Sequence, residues 1–173
     1  MGQIIAFVLG NFTLTFLVIG LMVAGARLFA RPHPLPRGEI AEEVLAWFLF
    51  FSIGVSFFYN FVFHVFFGEL AASYIGWEDS PFQAEVGYAS LGFAAVGFLG
   101  FRGLWQVRLA AILGPSLFLW GAAVGHVLDM IRSQNFAPGN AGVIFWTDIL
   151  LPIFGFALLA ATRRHPVGTH RPA

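Results

Sequence analysis

The fold class is decided by residues 46–73, AWFLFFSIGVSFFYNFVFHVFFGELAAS, in which Glu69 is the only Asp, Glu, Lys or Arg. About 20 consecutive apolar residues suffice for a helix to cross the roughly 30 Å hydrocarbon core of a bilayer. The apolar residues form a continuous block and do not alternate with polar ones, as they would in a half-buried strand. This stretch therefore predicts a transmembrane helix.

Similar blocks recur along the chain, and the composition agrees with them. Of the 173 residues, 58% are hydrophobic and 10% are charged, whereas a soluble domain has about 25% charged residues. The sequence predicts an all-α integral membrane bundle of five transmembrane helices in a single domain over residues 1–173, with a short cytoplasmic tail at residues 163–173. The predicted spans are residues 4–26, 46–73, 82–101, 109–131 and 143–162.

Arginine is unequally distributed between the two sides of this predicted bundle. Basic loops are retained in the cytoplasm, so the arginine-rich side is expected to be cytoplasmic. Of the nine arginines, Arg132 alone falls on the opposite side. The N-terminus is therefore predicted outside and the C-terminus in the cytoplasm. The other eight arginines are Arg27, Arg31, Arg37, Arg102, Arg108, Arg163, Arg164 and Arg171.

Charge and cysteine content exclude several function classes. The formal net charge is zero, so the basic surface expected of a nucleic-acid-binding protein is missing and no nucleic-acid partner is predicted. The sequence contains no cysteine, which excludes disulfides, thiolate metal sites and cysteine nucleophiles. Any metal would have to be held by histidine and carboxylate side chains.

A polar stripe follows one face of the second predicted span. Ser52, Ser56, Asn60 and His64 recur every four residues, a spacing that places them on one side of a helix. Polar residues within a span normally face the bundle interior. The stripe is explained either by hydrogen bonds that hold helices together or by a binding site, and for His64 both explanations stay open.

Further ionisable residues fall in the other spans. His126 and Asp129 are three residues apart on one predicted helix face, followed by Arg132. Asp129 could pair with Arg132 or orient His126, or the two could be metal ligands, as Glu-x-x-His pairs are in helical-bundle metal sites. Glu85 and Asp148 each lie one turn into a span, where they could simply complement a helix dipole.

Together these residues form one predicted layer in the outer leaflet. By contrast, Glu42 and Glu43 are interpreted as first-turn helix acids that face the headgroups. We predict that a divalent metal (zinc, iron or manganese) or a small ligand binds in the layer. The predicted metal ligands are His64, Glu85, His126 and Asp129, and the predicted ligand-binding residues are Asn60, Glu69 and Asp148.

Two loops carry helix-capping signals. Ser80, Pro81 and Gln83 fit a capping box, in which the Ser80 and Gln83 side chains bond backbone N–H groups at the start of the third span. Asn140, in the loop before the fifth span, is a candidate cap for that span.

The motifs WEDSPFQAEVG at residues 77–87, Gly125-His126 and APGNAG at residues 137–142, with Asp148 and Pro152, resemble a family of small uncharacterised prokaryotic membrane proteins. The resemblance extends over residues 60–155. It implies a multi-pass protein of the prokaryotic inner membrane and supplies no activity. A weaker likeness, to the sterol-isomerase and sigma-two-receptor group, is limited because His64 and Glu69 do not share a helix face.

Three functions are compatible with the sequence. The first is the metal or small-ligand site of the outer leaflet. The second is an enzyme or receptor for a lipophilic small molecule such as a quinone, sterol or isoprenoid, with some of the 22 phenylalanines lining its pocket. The third is a non-enzymatic accessory subunit that docks on a membrane-embedded partner or on a second copy of itself.

Overall fold

A computed structural model describes residues 2–164, and the secondary structure of this part of the chain consists of helices joined by loops, without β-strands. The all-α prediction is therefore confirmed for the described residues. Most of the predicted tail, residues 165–173, lies outside them. The helices are α1 (Gly2–Gly10), α2 (Phe12–Phe29), α3 (Arg37–Phe48), α4 (Ser56–Phe66), α5 (Gly68–Ile75), α6 (Phe82–Gly100), α7 (Trp105–Ser133), α8 (Pro138–Ala141) and α9 (Val143–Arg164).

Four helical stretches are long and apolar enough to cross a membrane, which indicates a membrane protein. They are Phe12–Phe29, Arg37–Phe66, Trp105–Ser133 and Pro138–Arg163. Helix α6, which matches the third predicted span closely, is not among them because its polar residues lower its mean hydropathy. The polar residues include Gln83 and Glu85 near its beginning.

Each of the first two predicted spans is divided into separate helices, because the helical backbone is interrupted within it. At Asn11 the dihedrals are φ −110° and ψ 41°, so the stretch from residue 4 to 26 is divided between α1 and α2. At Phe67 they are φ −134° and ψ 40°, which ends α4 and leaves α5 as a separate short helix. The second long helix also begins nine residues earlier than predicted, at Arg37, directly after the extended Pro36.

A π-helical segment, Leu49–Val55, joins α3 to α4 without interrupting the helix. π-Helical turns are rare and occur frequently at functional sites. The segment packs against α6 so closely that a β-carbon on Gly97 would lie 2.6 Å from the Gly54 nitrogen. Apolar residues around it form the core, among them Leu49, Ile53 and Ile112.

Side-chain contacts define two ends of the bundle. At the histidine end, which contains His64 and His126, the His64 ring bonds Gln83 at the beginning of α6. At the arginine-rich end, which contains Arg27, Arg31, Arg102 and Arg108, the Arg102 guanidinium bonds Glu43 of α3 just after α6 ends. Helix α6 therefore runs the whole distance between the two ends.

Glu43 is the centre of the arginine-rich end, which corrects its interpretation as an acid that faces the headgroups. Its side chain is 1% exposed. It accepts hydrogen bonds from Arg27 Nε at 2.8 Å, Arg31 Nη2 at 2.5 Å, Trp47 Nε1 at 2.8 Å and Arg102 Nη2 at 3.3 Å. A buried carboxylate requires such partners, because burying an unpaired charge is costly.

Glu42, the neighbour of Glu43, is also paired within the protein. Its two oxygens each lie 2.6 Å from a terminal guanidinium nitrogen of Arg108, which is itself buried. Two-point pairing of this kind is the strongest arrangement for arginine and carboxylate. It ties the beginning of α7 to α3.

Candidate functional site

A cavity of about 650 Å³ extends from the histidine end into the middle of the bundle. Its walls come from α2, the π-helical segment and α4 to α9. The lining is mostly apolar, with aromatic rings that include Phe57, Phe63 and Phe118. A mostly apolar cavity of this size, with a few polar groups, is typical of a small-molecule site.

His126 and Asp148 form one polar pair on the cavity wall. His126 Nε2 lies 3.7 Å from Asp148 Oδ2, and both side chains are nearly inaccessible to solvent. They come from neighbouring helices, α7 and α9, and both line the cavity. Trp77, in the loop before α6, stacks on the imidazole with 5.9 Å between ring centroids.

Asn140 sets the tautomer of His126. Its amide nitrogen donates to the backbone oxygens of Asn135 at 2.8 Å and His126 at 3.5 Å. Its Oδ1, 2.6 Å from His126 Nδ1, is then the acceptor, so Nδ1 carries the ring proton. In the neutral imidazole Nε2 is therefore an acceptor that faces Asp148. The 3.7 Å between Nε2 and Oδ2 is too long for a direct hydrogen bond, and it leaves a ligand oxygen within reach of both groups.

A second set of polar groups lies on α4 and α6. His64 Nδ1 is 2.6 Å from Gln83 Oε1, and Asn60 Nδ2 donates to Ser90 Oγ at 2.9 Å. His64, Gln83 and Asn60 line the cavity. Each is already held by a partner within the protein, which fixes its orientation toward the cavity.

Ser52 is the exception among these polar groups. Its hydroxyl is buried, has no hydrogen-bond partner among the described residues, and lines the cavity from the π-helical segment. A buried hydroxyl without a partner costs free energy, and such groups in native proteins call for an explanation. A ligand oxygen or nitrogen in the cavity would supply the missing partner.

The structure separates the predicted site residues into two groups. His64, His126, Asn60 and Asp148 line the same cavity. Glu69 and Glu85 are exposed and do not line it. The sequence placed all six ionisable residues at one depth, but depth does not determine the direction in which a side chain points around its helix.

Asp129 lies just outside the cavity and holds the loops of the histidine end. Its Oδ2 accepts hydrogen bonds from Trp77 Nε1 at 2.8 Å and Asn135 Nδ2 at 2.7 Å. Asp129 therefore bonds Trp77 and Asn135, whereas the sequence predicted Arg132 or His126 as its partner. Asp129 therefore orients His126 only indirectly, through the stacked Trp77.

A metal centre finds no geometric support in the described part of the chain. Within residues 2–164 there is no group of three or more His, Asp or Glu side chains that could hold a metal ion. Of the four predicted metal ligands, His64 and His126 each use one ring nitrogen on an amide oxygen, and Glu85 points away from the cavity.

Three site residues were missed or given another role by sequence reasoning. Gln83 and Asn140 were assigned to helix caps, but their side chains contact His64 and His126 instead. Trp77 was not singled out as a site residue. Gln83 and Asn140 belong to the motifs that carry the family resemblance, which was the one sequence signal that could have identified them.

Comparison with known proteins gives one match. A family model described as a family of unknown function (DUF6790) matches residues 10–168. The match confirms the resemblance found in the sequence and extends it over almost the whole chain. No curated protein and no solved structure matches this chain.

Proposed function

Since the chain belongs to this family of unknown function, we propose its function from the geometry of the cavity: it binds one amphiphilic small molecule within the membrane. The apolar body of the ligand occupies the cavity. Its hydrogen-bonding groups contact the His126 and Asp148 side chains at the histidine end and the Ser52 hydroxyl deeper in the cavity. Quinones, sterols and isoprenoid alcohols belong to this class, because each combines an apolar body with a hydrogen-bonding oxygen.

The observation that carries the proposal is the unpartnered Ser52 hydroxyl in an apolar cavity of about 650 Å³. If these residues served only to pack helices together, the cavity would be expected to be filled by side chains, because protein interiors are densely packed. An apolar residue would also be expected at position 52. A ligand with an oxygen at this depth accounts for both the space and the hydroxyl.

The His126–Asp148 pair supplies the chemistry that we propose for this site. A ligand oxygen that bonds both Nε2 and the carboxyl group can exchange a proton with them. General acid–base groups need this kind of reach and orientation. We therefore propose proton exchange with the ligand as the reaction type, if the bound molecule is turned over.

The test is mass spectrometry of protein purified in a mild detergent, for wild type and for Ser52→Ala and Ser90→Ala. Ser52→Ala removes a hydroxyl that has no protein partner, so we expect weaker ligand retention with unchanged or higher thermal stability. Ser90 is the matched control, because it is equally buried but its hydroxyl is bonded to Asn60 and to the Val86 carbonyl. Ser90→Ala should lower stability.

Two results would contradict the proposal. One is wild-type protein that retains no lipophile in several detergents. The other is near-stoichiometric zinc, iron or manganese that disappears in His64→Ala and His126→Ala, which would favour the metal prediction instead. The accessory-subunit alternative, with a membrane partner or a second copy, stays a prediction.

We further propose five crossings, with α6 as the additional one, an external N-terminus and a cytoplasmic C-terminus in a prokaryotic inner membrane. Helix α6 has 19 residues, about 28 Å at 1.5 Å per residue, close to the hydrocarbon thickness. Its contacts with His64 at one end and Glu43 at the other support a full crossing. The clustered arginines support a cytoplasmic location for their end.

A further inference from the structure

We propose that the ligand enters the cavity sideways from the bilayer, through a gap between α6 and α7, and that its apolar chain stays in this gap. The ligand is then a long-chain amphiphile dissolved in the membrane, and not a solute that arrives from water. This inference rests on the proposed binding function and specifies the class and route of the ligand.

Helices α6 and α7 are in close contact over the half nearer the arginine-rich end. A β-carbon on Gly100 would lie 3.1 Å from Ala111 Cβ, and one on Gly114 would lie 3.4 Å from the Phe93 ring. The rings of Phe93 and Phe118 are 5.4 Å apart. No lipid chain fits between helices that approach this closely.

Toward the histidine end the same face of α7 meets open space. Apart from the backbone of α7 itself, no described residue comes within 4 Å of a β-carbon built on Gly121 or Gly125, which lie 7 and 11 residues after Gly114. Gly121 is exposed and at the same time lines the cavity. Leu117 and Phe82, which are 61% and 69% exposed, also line it. Residues that face both the cavity and the surroundings mark an opening.

Pro115 lies where the close contacts between α6 and α7 end. It is buried inside α7 and cannot donate a hydrogen bond to the Ala111 carbonyl. Proline within a helix is a common cause of a kink. The α7 residues in close contact with α6 precede Pro115 or lie within one turn of it. Gly121 and Gly125, which have open space around them, lie farther toward the histidine end.

The depth of the opening points to the bilayer. Gly121 is 16 residues from Trp105, where α7 begins, and 12 residues from Ser133, where it ends. At 1.5 Å per residue these separations are about 24 Å and 18 Å. The opening therefore lies well within the roughly 30 Å hydrocarbon core if α7 is centred in the membrane.

Small residues on a helix surface would by themselves indicate only close helix packing. Here no helix occupies the space, and the opening leads into the cavity that contains the unpartnered Ser52 hydroxyl. A chain in the gap leaves the polar part of the ligand inside the cavity, which both Ser52 and the His126–Asp148 pair line at different depths. The competing route is from the aqueous side, past Glu78 and Ser80, which also line the cavity.

The experiment compares the lipophile retained by wild type with that retained by Gly121→Phe, Gly92→Phe and Ser80→Phe, all purified and quantified identically. Gly92 is the matched control, because it is an exposed helical glycine with open space around it and does not line the cavity. We expect Gly121→Phe to lower retention about tenfold, equivalent to about 1.4 kcal/mol of lost binding. Gly92→Phe should retain the wild-type amount.

Each outcome distinguishes the route from the site. Retention that is unchanged in Gly121→Phe but lost in Ser80→Phe would overturn the lateral route and leave the binding function standing. Wild type without any lipophile would overturn the binding function and the route with it. If Gly121→Phe fails to fold by size-exclusion chromatography, Gly125→Phe tests the same opening one turn away.

Discussion

Gly97 of α6 lies directly against the backbone of Gly54, so that a β-carbon on Gly97 would be 2.6 Å from the Gly54 nitrogen and 2.9 Å from its α-carbon. Backbone atoms cannot move aside as a flexible side chain can. The close approach brings α6 against the π-helical segment that holds Ser52. Any change of this distance is expected to affect the shape of the cavity.

We expect Gly97→Ala to destabilise the protein by about 1–3 kcal/mol, the usual cost of overfilling a packed contact. Gly92→Ala, on the same helix with open space around it, should be neutral or slightly stabilising because alanine favours the helix. Thermal unfolding in detergent measures both. Equal stability of the two variants would contradict a close contact between α6 and the π-helical segment.

Glu43→Gln tests the arginine-rich end. The variant keeps the size of the side chain but weakens bonds to three guanidinium groups, so we expect a loss of about 1–3 kcal/mol. The loss is limited because the arginines remain partly exposed and can turn toward water. Glu39→Gln is the control, since Glu39 is one-third exposed and 3.7 Å from Arg31, and its pair is worth at most about 1 kcal/mol. A loss from Glu39→Gln as large as that from Glu43→Gln would contradict this assignment.

Asn140→Ala tests the support of His126. Asn140 is fully buried, and its removal leaves the ring N–H of His126 without an acceptor. We expect a loss of about 1–3 kcal/mol together with weaker ligand retention. Gln106→Ala, at an exposed position near the beginning of α7, should change neither quantity. Selective ¹⁵N labelling of histidine in the wild type should show the Nδ1–H tautomer of His126, and an Nε2–H tautomer would refute the assigned hydrogen bond.

The absence of cysteine from the sequence allows a direct test of the crossings. Ser73→Cys and Gln106→Cys introduce thiols at exposed positions before and after α6. If α6 crosses the membrane, a membrane-impermeant maleimide added to intact cells should label Cys at position 73 and should reach position 106 only after permeabilisation. Labelling of both positions from outside would exclude α6 as a crossing and would favour four crossings.

Part of this architecture could be predicted from the sequence because it depends on local pattern. The apolar block of α6 begins at the predicted residue, since Pro81 precedes it. The four-residue spacing of Asn60 and His64 correctly implied a shared helix face directed inward. The break at Phe67 gave no comparable signal, because the apolar run continues through it.

The site required information that one sequence does not contain. Glu69 and Glu85 share their depth with His64, but they point in other directions around their helices. Gln83 and Asn140 fit local capping patterns, whereas the fold places them beside histidines of other helices. Contacts between distant segments determine these roles, and the capping rules consider only neighbours along the chain.

The π-helical segment has a consequence for how this protein can vary. A regular α-helix turns about 100° per residue, and a π-turn accommodates an extra residue without breaking the helix. Deleting one residue from Leu49–Val55 would restore regular winding and leave Asn60 and His64 facing nearly the same direction relative to Glu43 and Trp47, whereas regular winding of all seven residues would rotate them by about 100°. A relative that lacks one residue at this point would therefore still present the same helix face to the cavity and retain the same arginine-rich end.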